Sequence, residues 1–163
     1  MYNQSEEKNF HKKAVVFVCT GNSCRSVMAE GLFRRIINTR KGIDIASAGI
    51  RAIPGMLPST YALEFLKKYG VDMSEHLARP FDYDLAKKAD YIIVMTHEHR
   101  SEIVARYMDI DKIQEKTQLL MHFASDPDLH DQNVPDPIGL PYDQYEKCAR
   151  QMWDPLVNLA GSI

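Results

Sequence analysis

Four short, largely apolar runs divide this chain, and stretches with helical periodicity separate them. The runs are Ala14–Val18, Ile43–Ala48, Tyr91–Met95 and Lys116–Leu120. Short continuous runs rich in β-branched residues are typical of strands that are buried on both faces of a parallel sheet. We therefore predict four strands, in this order along the chain.

Amphipathic stretches fill the intervals between the runs. Apolar residues at helical spacing predict helices over about residues 25–39, 60–69, 84–88, 98–107 and 143–159. Strands that alternate with helices predict an α/β fold, here a single doubly wound, Rossmann-like domain whose four-stranded parallel sheet carries helices on both faces. Residues 14–163 are expected to form that domain, and the charged, aperiodic residues 1–13 a loose N-terminal extension.

Composition narrows the class of partner. The 163 residues are 45% hydrophobic and carry a net charge of −2, so no global basic field favours nucleic acid or an anionic membrane. No apolar run approaches the roughly 18 residues of a membrane span, and residues 1–11 lack the apolar core of a signal peptide. The odd count of three cysteines favours free thiols. We expect a cytoplasmic protein that is a monomer or weak dimer.

The most informative segment follows the first strand, and we call it the oxyanion loop. It consists of Cys19, Thr20, Gly21, Asn22, Ser23, Cys24, Arg25 and Ser26. Ligands of doubly wound sheets bind at the carboxyl ends of the strands, which is where Cys19 falls. The amides of a tight turn, the positive N-terminal end of the next helix and the Arg25 guanidinium would stabilise a thiolate. The same groups would hold a tetrahedral oxyanion above the sulfur.

A carboxylic acid elsewhere in the chain complements this nucleophile. Attack by Cys19 on a phosphoryl group would form a phosphocysteine and expel an alcohol, phenol or amine, which needs a proton. Asp136 is the candidate donor, because Pro135 and Pro137 fix it in a polar loop. Arg25 would bind the equatorial oxygens as charge spreads in the transition state. This chemistry requires no metal and no cofactor.

These residues carry a resemblance to a known family. The chain resembles the low-molecular-weight protein tyrosine phosphatases, including their bacterial protein-arginine phosphatase branch, from about residue 14 onward. The motifs are Cys19-x5-Arg25-Ser26, Asn22 and Cys24 inside the loop, and Asp136-Pro137 far downstream. The Cys-x5-Arg core occurs in several unrelated phosphatase folds, whereas its combination with Gly-Asn and a late Asp-Pro is much more specific.

The resemblance implies roles for further residues. It implies a hydrogen-bond network that holds the oxyanion loop, in which Ser26 also donates to the thiolate; its members are Asn22, Ser26, Ser47 and His76. It implies that Cys24 can trap an oxidised Cys19 as a disulfide. The expected pocket rim consists of Ile50, Thr96, Ile138 and Tyr142.

Ser23 bears on the choice of substrate. Tyrosine-specific members of the family tend to carry a bulky aliphatic residue at this position, whereas the arginine phosphatases carry a small hydroxyl residue. A small polar residue accepts a guanidinium more readily than an isoleucine does. The expected substrate is therefore a phosphorylated protein or peptide, with phosphotyrosine and phosphoarginine both open. Phosphate or another tetrahedral oxyanion should also bind.

Other interpretations fit the residues less well. The loop also resembles that of thioredoxin-coupled arsenate reductases, but those enzymes need two further cysteines after the third strand, where residues 95–100 contain none. A non-catalytic phosphate-binding module should lack one of the three chemical residues, and none is missing. A zinc site is disfavoured because Arg25 would repel the metal. Its ligands would be Cys19, Cys24, His97 and His99, of which the two histidines are expected to be solvated.

Overall fold

A parallel sheet between two layers of helices forms the centre of the fold, in a computed structural model that describes residues 12–163. Its strands are β1 (Lys13–Cys19), β2 (Ile43–Gly49), β3 (Tyr91–Val94) and β4 (Thr117–Leu119). All neighbours pair in parallel, in the order β2-β1-β3-β4. The predicted fold class and strand number are confirmed.

The helices lie close to their predicted positions. They are α1 (Arg25–Ile37), α2 (Thr60–Lys68), α3 (Tyr83–Lys88), α4 (His97–Arg106), α5 (Ile113–Lys116) and α6 (Tyr142–Ser162), with short 3-10 helices at Leu120–Phe123 and Pro127–Leu129. Neither α5 nor the two 3-10 helices are predicted from the sequence, because segments of three or four residues show no periodicity. Among the described residues, no helix is long and apolar enough to cross a membrane.

Alternation along β1 divides the core in two and orients the nucleophile. Val15, Phe17 and Cys19 lie in a cluster with buried residues of α1, α2 and α6. Val16 and Val18 lie in the opposite cluster, with residues of α3 and α4. Successive strand residues point to opposite faces, so Cys19 emerges on the side of α1 and α6.

The amino end of β1 corrects one boundary. The Lys13 N–H donates to the Gly42 carbonyl at 2.8 Å, and Lys12 forms an exposed ion pair with Asp44 at 3.4 Å. Lys13 therefore belongs to the sheet and not to the loose extension that was predicted over residues 1–13. Residues 1–11 of that predicted extension lie outside the described part of the chain.

Candidate active site

The oxyanion loop joins β1 to α1 at the carboxyl edge of the sheet. Its Cys19 is only 2% exposed. Asn22 has a φ of 53°, a left-handed conformation that turns the chain sharply. The N–H groups of residues 21–24 donate to no backbone carbonyl of the described chain. A tight turn that opens a helix in this way supplies free amide donors, which favour an anion.

The end of β2 clamps this loop from the side. A Cβ atom on Gly49 would lie 2.6 Å from the Thr20 carbonyl oxygen and 2.8 Å from the Asn22 nitrogen. Real Cβ atoms do not approach backbone so closely, so only glycine fits here. The next two residues, Ile50 and Arg51, donate their N–H groups to loop carbonyls at 2.9 Å. The loop conformation is thus fixed by backbone contacts.

A chain of buried hydrogen bonds leads from α1 to the sulfur. Ser47 Oγ donates to Glu30 Oε2 at 2.5 Å. Asn22 Nδ2 in turn donates to the hydroxyl oxygens of Ser47 and Ser26, both at 2.9 Å. Ser26 Oγ lies 3.0 Å from Cys19 Sγ. Since the Ser26 oxygen accepts from Asn22, the Ser26 hydroxyl proton can be donated to the sulfur, and that bond stabilises the thiolate form.

Two further acceptors of this hydrogen-bond chain, Asn22 Oδ1 and Glu30 Oε1, also have partners. Asn22 Oδ1 accepts from the Arg79 N–H at 3.1 Å and lies 3.1 Å from His76 Nε2. Burial lowers the pKa of His76 below its ordinary value, so its ring is neutral at pH 7. Glu30 Oε1 accepts from both Nε and NH2 of Arg34, at 3.0 and 2.8 Å. The structure therefore brings together the implied set Asn22, Ser26, Ser47 and His76, and adds Glu30, Arg34 and Arg79.

Arg25 and Asp136 form an ion pair beside the loop. NH2 of Arg25 lies 3.1 Å from Asp136 Oδ2, and NH1 donates to the Val134 carbonyl at 3.1 Å. The Arg25 side chain is 5% exposed and that of Asp136 is 41% exposed. Arg25 Nε is buried and has no hydrogen-bond partner within residues 12–163. A buried cation thus keeps an unused donor next to the loop, and its carboxylate partner reaches solvent.

The other two cysteines pack against the segment that carries Asp136. Cys24 Sγ lies 3.6 Å from Asp136 Oδ1, at donor distance. Burial, with the charges of Cys19 and Asp136, raises the pKa of Cys24. Cys148 Sγ donates to the Pro135 carbonyl at 3.7 Å, and burial raises its pKa to about 12. Cys24 and Cys148 are therefore protonated thiols, and all three cysteines are free.

The predicted rim residues differ in their exposure and in what they contact. Ile138 is 58% exposed beside Asp136, as a rim position requires. Ile50 is 7% exposed and packs in the core on the α3 side of the sheet, so its side chain does not line an open rim. Thr96 begins α4 and accepts from the His99 N–H at 3.2 Å. Tyr142 is half-buried, and its ring packs edge-on against Tyr61.

His99 was expected to be solvated, and that expectation is wrong. Its side chain is 4% exposed, and Nε2 lies 2.9 Å from Thr20 Oγ1 in the oxyanion loop. Burial, and then the charge of Arg25, lower the pKa of His99 to about 4. His97 points outward instead, because positions two apart on a helix face in different directions. Within residues 12–163, no three His, Cys, Asp or Glu side chains are placed to hold a metal ion.

Comparisons with known proteins show which family and which relatives this chain is similar to. The family model described as low molecular weight phosphotyrosine protein phosphatase matches residues 14–163. A protein-arginine-phosphatase of Bacillus subtilis is 31% identical over 151 residues, which span 91% of this chain and 95% of that protein. An arsenate reductase of Halalkalibacterium halodurans is 40% identical over 85 residues, or 52% of this chain and 58% of that protein.

Solved structures of phosphatases also superpose on this chain. A low molecular weight protein tyrosine phosphatase from T. tengcongensis superposes with a TM-score of 0.83 at 32% identity, covering 93% of this chain and 100% of that one. A mutant of the arginine phosphatase YwlE, in which cysteine is replaced by serine and the active site serine is phosphorylated, superposes with a TM-score of 0.82. Its identity is 30%, and the alignment covers 91% of this chain and 94% of that one.

Removal of His99 should reduce the acid sensitivity of the fold. Between pH 6.5 and about 4 the unfolded chain binds a proton at this residue that the folded chain does not, so stability falls as the pH falls through that window. From pH 7.5 to pH 5 this effect amounts to about 2 kcal/mol. The free energy of unfolding, measured in urea, should therefore fall between pH 7.5 and pH 5 by about 2 kcal/mol less in His99→Gln than in the wild type. The exposed His97→Gln is the control, and an unchanged loss in His99→Gln would contradict the assignment.

Proposed function

This chain belongs to the low-molecular-weight phosphotyrosine protein phosphatase family, and we propose that it hydrolyses phosphorylated protein side chains through a phosphoryl group carried on Cys19. The observation that carries the proposal is that a buried sulfur lies in the same segment as hydrogen-bond donors that have no acceptor among residues 12–163. Cys19 is 2% exposed, and the unpaired Arg25 Nε and the free loop amides lie in the same segment. The nucleophilic sulfur and the groups that would bind the oxyanion then lie at the same place.

The first step transfers the phosphoryl group to sulfur. The Cys19 thiolate, which accepts from Ser26, attacks phosphorus as the bond to the leaving oxygen or nitrogen breaks. Arg25 and the loop amides stabilise the charge that spreads over the three equatorial oxygens. Because Ser26, Asn22 and the backbone around them are held in place before substrate binds, little reorganisation is needed at the moment of reaction.

Asp136 supplies the proton and later removes one. Without substrate its carboxylate pairs with Arg25. A phosphoryl dianion competes for that guanidinium and repels the carboxylate, which favours the protonated acid that the leaving group requires. After the leaving group departs, the Asp136 carboxylate takes a proton from water, the hydroxide attacks phosphorus, and the S–P bond breaks to restore the thiolate. The YwlE mutant carries a phosphorylated serine in its active site, which supports a route through a phosphorylated side chain.

Phosphoarginine is the substrate that the site favours. Ser23 is half-buried in the oxyanion loop, and its carbonyl accepts from the Ser59 N–H at 2.8 Å, which holds this part of the loop against the start of α2. Its short hydroxyl side chain leaves room and a polar partner for a guanidinium. The B. subtilis relative, whose name describes arginine dephosphorylation, aligns over 95% of its length. Phosphotyrosine is the second candidate, because Ile138 and Tyr61 expose apolar surface that a phenyl ring could contact.

Arsenate reduction finds less support. The reductase of Halalkalibacterium halodurans aligns over only 52% of this chain. The cycle of such reductases needs a thiol that passes a disulfide to thioredoxin, and Cys24 and Cys148 are each only 4% exposed. The raised pKa of both thiols also lowers their thiolate fraction at neutral pH, which slows attack by either one, including the implied disulfide formation between Cys24 and an oxidised Cys19.

Replacement of the acid should affect substrates according to their leaving groups. Para-nitrophenolate can leave without accepting a proton, whereas the more basic phenolate needs a proton from an acid. Asp136→Asn should therefore lower kcat/KM for phenyl phosphate by a factor of about 10²–10³. The factor by which it lowers kcat/KM for para-nitrophenyl phosphate should be several-fold smaller. Asp131→Asn, an exposed substitution in the same loop, is the control and should change neither value. Equal losses on both esters would show that Asp136 acts only through its ion pair with Arg25.

Replacement of Ser23 should separate the two phosphoamino acids. We expect Ser23→Ile to lower kcat/KM for a phosphoarginine peptide by at least about tenfold and to keep or raise the value for a phosphotyrosine peptide, because the isoleucine leaves the guanidinium without a polar partner. Ser23→Thr keeps the hydroxyl and should retain the wild-type preference. An equal loss on both peptides would reject Ser23 as the selector.

A further inference from the structure

A cavity of about 740 Å³ opens at the end of α1 that lies away from the oxyanion loop. Its walls are Arg34 and Arg35 of α1, the turn that follows α2, and Trp153 and Val157 of α6. Arg34 lies nine residues beyond Arg25 along the helix, so the cavity is about 14 Å from the loop at 1.5 Å per residue. It is therefore separate from the site described above.

The walls combine positive charge with a flat apolar surface. Trp153 is 38% exposed and Val157 is 42% exposed, and both lie on the outer face of α6. The Arg34 side chain is 49% exposed, and Arg35 forms no ion pair within residues 12–163. Among the described residues that line the cavity, Asp72 is the one acidic residue, and its carboxylate accepts from the Ser74 N–H. Arg34 also pairs with Glu30 and donates to the Ile45 carbonyl. Arg35 and Nη1 of Arg34 are therefore the guanidinium donors of this cavity that have no partner among the described residues.

We propose that this cavity binds a small carboxylate that carries a flat apolar group, with the carboxylate on Arg35 and Arg34 and the apolar group against Trp153. Guanidinium groups bind planar carboxylates through paired hydrogen bonds, and the indole face offers a large contact area. The carbonyl groups at the end of α1 and the charge of Asp72 oppose an anion, so the affinity should be modest, with Kd in the millimolar range. A planar carboxylate does not match the tetrahedral site at Cys19.

Arg34 connects this cavity to the nucleophile. Its guanidinium pairs with Glu30, which is 6% exposed and also accepts from Ser47. Ser47 holds Asn22, and Asn22 holds the Ser26 hydroxyl beside Cys19. A carboxylate that draws Arg34 away leaves the buried Glu30 charge without its cation, which disturbs the hydrogen bonds that depend on Glu30. Occupancy should therefore lower kcat more than it changes KM, and this coupling rests on the proposed function, whereas binding does not.

Binding can be measured directly, because Trp153 is the single tryptophan of the sequence. Phenylacetate, titrated into the full chain, should change Trp153 fluorescence saturably at millimolar concentration. The uncharged phenylacetamide should bind at least about fivefold more weakly, and Arg35→Gln should weaken phenylacetate by a similar factor. Equal responses to the acid and the amide, or no saturable binding by fluorescence and equilibrium dialysis, would overturn the anion site.

The coupling has its own test. Turnover of para-nitrophenyl phosphate by the wild type should fall at least about twofold in kcat at saturating phenylacetate, with little change in KM. Arg35→Gln, which lies outside the hydrogen-bond chain to Cys19, should keep the basal kcat and lose most of this response. Purely competitive inhibition, or equal inhibition of both proteins, would place phenylacetate in the oxyanion loop and contradict the coupling. A chain without phosphatase activity would refute the proposed function and leave the fluorescence result standing.

Discussion

The proposed mechanism sets one electrostatic constraint: the Cys19 thiolate and a phosphoryl dianion must lie in contact at a sulfur that is only 2% exposed. Arg25 is the only fixed positive side chain placed within the oxyanion loop itself, and it is almost completely buried. A buried guanidinium is destabilising unless it is paired, and Asp136 and the Val134 carbonyl pair it when no substrate is present. The proposed catalytic acid therefore also pairs the buried charge of Arg25.

The same constraint explains the rigid loop. Free amides that face each other would relax toward other acceptors if the backbone could move. Gly49 allows β2 to press against the loop, and the Asn22 side chain ties the loop to Ser47 and to Arg79. Glu30 and Arg34 then carry the network through α1 to the surface. These contacts thus hold the backbone of the oxyanion loop in one conformation.

Much of this architecture could be predicted from the sequence, because the dominant signals are local. β-branched runs and helical spacing placed β1 and α1, and the oxyanion loop lies between them. The site residues that were missed depend on contacts between segments far apart in the chain. Burial of His99 depends on the approach of Thr20, and Ile50, the residue that follows β2, packs against core residues of distant segments such as Phe81 and Ile103. The Glu30–Arg34 pair was the one detectable signal, since its i,i+4 spacing suits an ion pair.

The central claim is that Cys19 itself carries the phosphoryl group during turnover. The most direct measurement quenches the wild-type protein rapidly in acid during hydrolysis of a phosphoarginine or aryl phosphate substrate and locates phosphate by peptide mass spectrometry. We predict phosphate on the peptide that contains Cys19, formed at least as fast as steady-state turnover, and no turnover by Cys19→Ser. Steady turnover with an unmodified Cys19 peptide, or hydrolysis by Cys19→Ser at a comparable rate, would contradict the account.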